Sequence, residues 1–183
     1  RMAARLPLVG ADAENRETLD SSWRRFALQL NAHLQDHLFI FGGRPSVADF
    51  AIAAQFQQML LDPTPANWLQ DNAPFVVAWC EHMEDPHAGG PFEDLKALEG
   101  TLAPLFAEEL SVTYLPWASA NAASASRDKK RFSATLGDGV FEQSTQRYAA
   151  RAFRAVRSAV AKSSDDTALN DFLATAGAHK HLS

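Results

Sequence analysis

The stretch FGGRPSVADFAIAAQF, residues 41–56, limits the fold more than any other part of the chain. Ser46 stands where a helix N-cap is expected. Its hydroxyl can accept from the backbone N–H of Asp49, and the Asp49 carboxylate can reach back to the N–H of Ser46. This is a capping box with Asp in the usual Glu position. The carboxylate also meets the positive end of the helix dipole. From Val47 to Leu61 the residues are mostly Ala, Ile, Phe, Met and Gln, with almost no charge after Asp49. A helix apolar on nearly all sides is expected to be a buried central helix.

The same stretch admits a second reading. A Gly-rich turn entering a helix N-terminus can cradle an anion, and Gly42-Gly43-Arg44 precedes this one. A phosphate loop needs more glycines and a Lys-Ser/Thr pair opening the helix after a strand. Here the preceding segment is helical: Leu19, Trp23, Phe26, Leu30, His33, Leu34 and His37 recur at steps of three and four between Glu14 and His37. The missing lysine and the Ser46–Asp49 pair favour a helix start, with the glycines as a C-cap turn of the helix before it.

Further along, Asp62-Pro63-Thr64-Pro65 reads as a break and Trp68-Leu69 as a short helical turn. Pro74 suits the first turn of a helix running to about Met83. The segment from Asp85 to Pro91 is the longest cluster of breakers. A helical region from Phe92 to about Leu110 is expected to be interrupted near Gly100-Thr101, with Pro104 in the first turn of its second piece. Residues 114–126 favour another short helix. Phe132, Ala134 and Leu136 then alternate, and Gly137-Asp138-Gly139 followed by Val140, Glu142 and Ser144 signals a hairpin near 130–146. Helices are expected at Tyr148–Ala161, with arginines outward, and at about Asp166–Thr175. The tail HKHLS is polar and expected to be mobile. The class is mainly α, a helical bundle with one small β-hairpin and a further C-terminal helix pair.

Chemistry is harder to find. His33 and His37 share a helical face as two zinc ligands would, but the general-base Glu of a zinc-protease helix is absent between them, and no third ligand is evident. No metal site is expected. Cys80 lies mid-helix between Trp79 and Glu81, without the cation that activates a thiolate, so it reads as an inert, half-buried thiol. A single cysteine permits no internal disulfide and fits a reducing, cytoplasmic setting. No apolar run approaches the roughly 18 residues of a membrane span. The net charge of −5 argues against nucleic-acid or anionic-membrane partners. The one dense basic run, from Arg127 to Arg131, is interrupted by Asp128 and reads as a solvated turn. No catalytic constellation is visible.

The residues Gly-Gly-Arg-Pro-Ser-Val-Ala-Asp-Phe, 42–50, followed by an apolar helix, resemble the capped core helix of the glutathione S-transferase C-terminal domain. Pro74 through Trp79 resembles that domain's next helix, and Asp62-Pro63 and Met83-Glu84-Asp85 also fit. Tyr114-Leu115-Pro116-Trp117, Asn121-Ala122, the Leu136-Gly137 hairpin, Gln143 and Tyr148 resemble a C-terminal extension in a bacterial glutathione-transferase-like subgroup. Where that subgroup often has cysteines, this chain has Ala152 and Ala178, so no role of those thiols carries over.

The resemblance implies a division of the chain and of labour. Residues 1–13 would be a linker or the remnant of an upstream helix, 14–126 the helical domain and 127–183 the extension. In the family, glutathione sits mainly on an N-terminal thioredoxin-like domain that also supplies the catalytic residue, and nothing in this chain has that domain's βαβ–ββα pattern. The chain would therefore carry no catalytic residue and no cofactor of its own, and alone it would be inactive. Glutathione would be a co-substrate of the intact protein. The helical domain would supply an apolar wall for a small hydrophobic electrophile, with Trp23, Phe26, Tyr114 and Trp117 as candidate lining residues, and part of a homodimer interface. Ser46 and Asp49 would be structural. The alternative expectation is a non-catalytic protein-interaction module of the same fold.

Overall fold

A computed structural model describes residues 6, 8–137 and 139–183. Part of the segment 1–13 and Asp138 of the hairpin turn lie outside the described residues. The chain divides into two units, one of Arg25–Leu105 and one of Arg1–Arg24 with Phe106–Ser183. Helix α1, Arg16–Asp36, crosses that boundary at Arg24–Arg25. Among the described residues no helix is long and apolar enough to cross a membrane.

The unit Arg25–Leu105 contains the rest of α1, then α2 (Val47–Leu60), α3 (Pro63–Asn72), α4 (Pro74–His82) and α5 (Leu95–Leu105). Its core includes Leu30, Phe39, Ala53, Phe56, Leu69, Val76 and Leu98. Helix α3 corrects the expected break at 62–65. Asp62 caps it by accepting from Thr64 N–H, and Pro63 takes the first helical position. There its missing N–H is no loss and its fixed φ suits the helix. Helix α4 has no side-chain cap from its own N-cap residue. Instead Asn31 of α1 accepts from Phe75 N–H at 2.8 Å.

Helix α2 is a second correction. Only Asp49, Ala53 and Phe56 are buried along it. Val47 is 85% exposed, Phe50 53%, and Leu61 beyond the C-terminus 78%. Within this unit α3 and α4 pack against α2, and Phe26 of α1 stacks on Phe56. One side of the helix is covered; the other, which carries Val47 and Phe50 together with Gln55 and Gln58, faces outward.

The other unit begins its second segment with a widened helical stretch, Phe106–Tyr114, of π type. The expected interruption at Gly100 is absent, since α5 runs through it. The irregularity follows Pro104, which has no N–H to donate to the turn before it and shifts the register beyond. Then come α6 (Leu115–Ser126), β1 (Arg131–Leu136), β2 (Gly139–Ser144), α7 (Arg147–Lys162), α8 (Thr167–Thr175) and α9 (His179–Leu182). The strands pair antiparallel, Arg131 opposite Ser144 and Leu136 opposite Gly139. Period-2 alternation puts Phe132, Ala134, Leu136 and Phe141 on one face, with Leu19, Trp117 and Ala120 against them. The tail is also corrected: α9 buries Leu182, and Ser119 Oγ meets His181 Nδ1 at 3.2 Å.

Candidate functional site

The glycines before α2 are committed to packing. Gly42 N–H donates to Phe39 O at 3.1 Å and Gly43 N–H to Pro91 O at 2.8 Å, while Gly43 O accepts from both Gly89 and Gly90. These two amides are therefore spent on carbonyls, which removes them as anion donors. Gly42 has φ +104°, a left-handed conformation that favours glycine. At Gly43 a Cβ would stand 2.6 Å from Gly90 Cα. The breaker cluster at 85–91 is thus a loop laid against Gly43. Gly43→Ala is expected to cost about 2 kcal/mol, as overpacking does; urea unfolding of the variant checks it. Arg44 lies over the Phe92 ring, 5.5 Å from its centroid.

Asp49 is fully buried and its carboxylate holds three donors. Ser46 N–H and Ser46 Oγ donate to Oδ2 at 2.8 and 2.6 Å, and Ile40 N–H donates to Oδ1 at 2.8 Å. The capping box forms as the sequence predicts. The bond to Ile40 goes beyond it, tying the chain that leaves α1 to the first turn of α2.

His33 completes the same arrangement. Its Nε2 donates to Ile40 O at 3.0 Å and its Nδ1 accepts from Thr101 Oγ1 at 2.7 Å, the only assignment that suits a neutral ring beside a carbonyl. Both main-chain polar groups of Ile40 are thereby held by buried side chains. His37 stacks on His33 with centroids 4.6 Å apart and faces Glu93 at 3.3 Å. The pair shares a face, but both nitrogens of His33 are occupied. Among the described residues no group of three or more metal-ligating side chains is assembled.

Burial first, and then the neighbouring His37, hold the His33 pKa below its ordinary 6.5. Burial and Lys180 lower that of His181 too. The folded chain thus binds these protons more weakly than the unfolded chain. Stability from this source is complete above about pH 6.5 and is lost as pH falls through the lowered folded values. Urea midpoints are expected to be lower at about pH 5.5 than at about pH 7.5. In His33→Gln, whatever its absolute stability, that difference shrinks.

The four candidate lining residues fall in both units. Phe26 belongs to the unit Arg25–Leu105 and stacks on Phe56, centroids 6.1 Å apart. Trp23 belongs to the other unit, where its Nε1–H donates to Asp20 at 2.9 Å and Arg24 lies over its ring. Tyr114 and Trp117 are brought together, stacked at 6.0 Å. Tyr114 is exposed, whereas Trp117 donates to Gln143 Oε1 at 2.7 Å and packs edge-on against Phe132. Cys80 is buried; burial, and then Glu81, push its thiol up to about 12, so it stays protonated at neutral pH.

Two buried polar residues carry more than their sequence context suggested. Glu109, in the π stretch, accepts from Ser22 Oγ and from Thr113 Oγ1, the latter at 2.5 Å. Nothing in its spacing set it apart from Glu108. Asn121 is fully buried and takes both main-chain groups of Gln146, donating to its carbonyl at 2.9 Å and accepting from its N–H at 2.8 Å. It thereby fixes the start of α7 on α6. Residues 13–82 match the family model of the glutathione S-transferase C-terminal domain. No curated protein and no solved structure matched the chain.

Proposed function

We propose that this chain, whose residues 13–82 match the family model of the glutathione S-transferase C-terminal domain, is the helical half of a glutathione-transferase-like protein. It forms the apolar wall on the electrophile's side and part of a homodimer interface. A thioredoxin-like domain binds glutathione and lowers its thiol pKa. The thiolate then attacks the electrophile. The residues of this chain contribute shape and apolar surface, with Tyr114 and Trp117, Trp23 and Phe26 as the candidate lining. Cys80, protonated and buried, is not a nucleophile here.

The observation that supports this reading is the outward side of α2, where Val47 and Phe50 are exposed, with Leu61 exposed just beyond the helix C-terminus. Isolated exposed apolar residues are ordinary; several together mark a surface that another surface covers. The coding frame upstream of Arg1 tests the proposal. A thioredoxin-like segment there is the expected result. A start codon at Met2 would contradict it and favour a docking module of the same fold.

A further inference from the structure

The basic run Arg127–Arg131 does more than cross from α6 to β1. Lys129 N–H donates to Ser124 O at 3.0 Å and Asp128 N–H to Ala125 O at 3.3 Å. These are the paired bonds of a Schellman turn, with Asp128 in the left-handed position at φ +54°. Glycine would adopt that φ more readily. The carboxylate of Asp128 is taken by Arg147 at the start of α7. The single acid of the run is thereby paired, while four cations remain in five residues of a chain with net charge −5.

Three of those cations, Arg127, Lys129 and Arg131, line a cleft of about 340 Å³ together with Ser133, Phe132 and Ala120. Among the described residues no carboxylate pairs with Arg127 or Lys129. Arg131 has only Glu142 at 3.7 Å, with both side chains more than half exposed, a pair that contributes little in water.

We propose that this cleft binds a small organic phosphate monoester with a flat apolar group. Guanidinium and ammonium groups suit the oxygens of a phosphate, which accepts several charge-assisted hydrogen bonds at once. Phe132, mostly buried on the hairpin's core face, and Ala120 packed against it border the cleft as its small apolar part, and the volume falls in the range of small-ligand sites. Like charges held around one cleft focus the field there and draw in an anion of complementary charge.

Phenyl phosphate, titrated into the full 183-residue chain at low salt by calorimetry, tests the proposal, with inorganic phosphate as the second probe. Saturable one-to-one binding is expected, tighter for phenyl phosphate and weakening as salt is added. Lys129→Glu is expected to weaken it at least about tenfold, as loss of a charge-assisted hydrogen bond does. Arg154→Glu, at an exposed cation on α7 that does not line the cleft, leaves it unchanged. Thermal melts of both variants should match the parent, since these side chains are exposed; a variant that melts early is replaced by Lys129→Gln. No saturable binding at millimolar ligand overturns the proposal. So does an equal effect of the two reversals, which would mark general screening, or equal affinity for the two probes, which would leave the apolar lining without a role.

Discussion

Asp49→Ala is expected to lower the stability of the chain by about 3 kcal/mol, well beyond the roughly 1 kcal/mol of an ordinary N-cap. The excess comes from Ile40. In the parent, Asp49 holds the N–H groups of both Ser46 and Ile40 while fully buried. Alanine leaves two donors without an acceptor, and each unsatisfied buried donor costs about 1–3 kcal/mol. Asp49→Asn, which keeps one acceptor oxygen, should fall between the parent and Ala. Urea denaturation with an unchanged slope measures the difference. A loss of only about 1 kcal/mol would mean that the Ile40 bond contributes nothing and that the box is a cap alone.

Asn121→Ala should be comparably damaging, at about 2–3 kcal/mol, for a related reason. Asn121 presents one donor and one acceptor to the Gln146 main chain, and both are used. No other side chain of that size matches a main-chain N–H and C=O together. Asn121→Asp keeps the acceptor and loses the donor, and adds a charge beside the Gln146 carbonyl, so it should not rescue. The site also fixes where α7 begins, so proteolysis near Arg147–Arg151 should quicken in the variant. Unchanged cleavage there, with an unchanged urea midpoint, would show that α6 and α7 are held by their apolar contacts alone.

What could be read from the sequence was what local chemistry decides. The Ser46–Asp49 box needs only four residues, and it formed. The hairpin was legible because alternation over 132–136 and 140–144 flanks a glycine turn, and period-2 burial followed. Trp68-Leu69 marks part of helix α3, but its start escapes the sequence reading because Pro63 and Pro65 look like breakers, although Pro at the first turn of a helix starts it well. The π stretch escapes the sequence reading because Gly100 looks like the interruption, whereas the irregularity lies beyond Pro104. The tail was missed because HKHLS is polar apart from Leu182, and that one side chain is buried.

The residues around the candidate sites divide in the same way. Asp49 was found because its partner lies three residues away. The His33 pair was visible as an i, i+4 spacing, but its meaning lay in Thr101 and Ile40, which no spacing connects to it. Gly42-Gly43 is read from the sequence as a turn rather than an anion loop, and the structure gives the reason no spacing could: the Gly42 amide is held by Phe39 O and the Gly43 amide by Pro91 O. Glu109 and Asn121 interact across the fold with residues 87 and 25 positions away, beyond the reach of any local pattern. The apolarity of α2 was read correctly; what the sequence could not show is which side of it this chain leaves uncovered.

The most direct measurement on the account as a whole is a conjugation assay. The purified 183-residue chain is mixed with glutathione and a chloronitrobenzene, and thioether formation is followed against the uncatalysed background. The account predicts no rate above that background, because it assigns the thiolate-stabilising residue and the glutathione site to a thioredoxin-like domain and not to these helices. Conjugation by the chain alone, saturable in glutathione, would contradict it and place the chemistry within these helices.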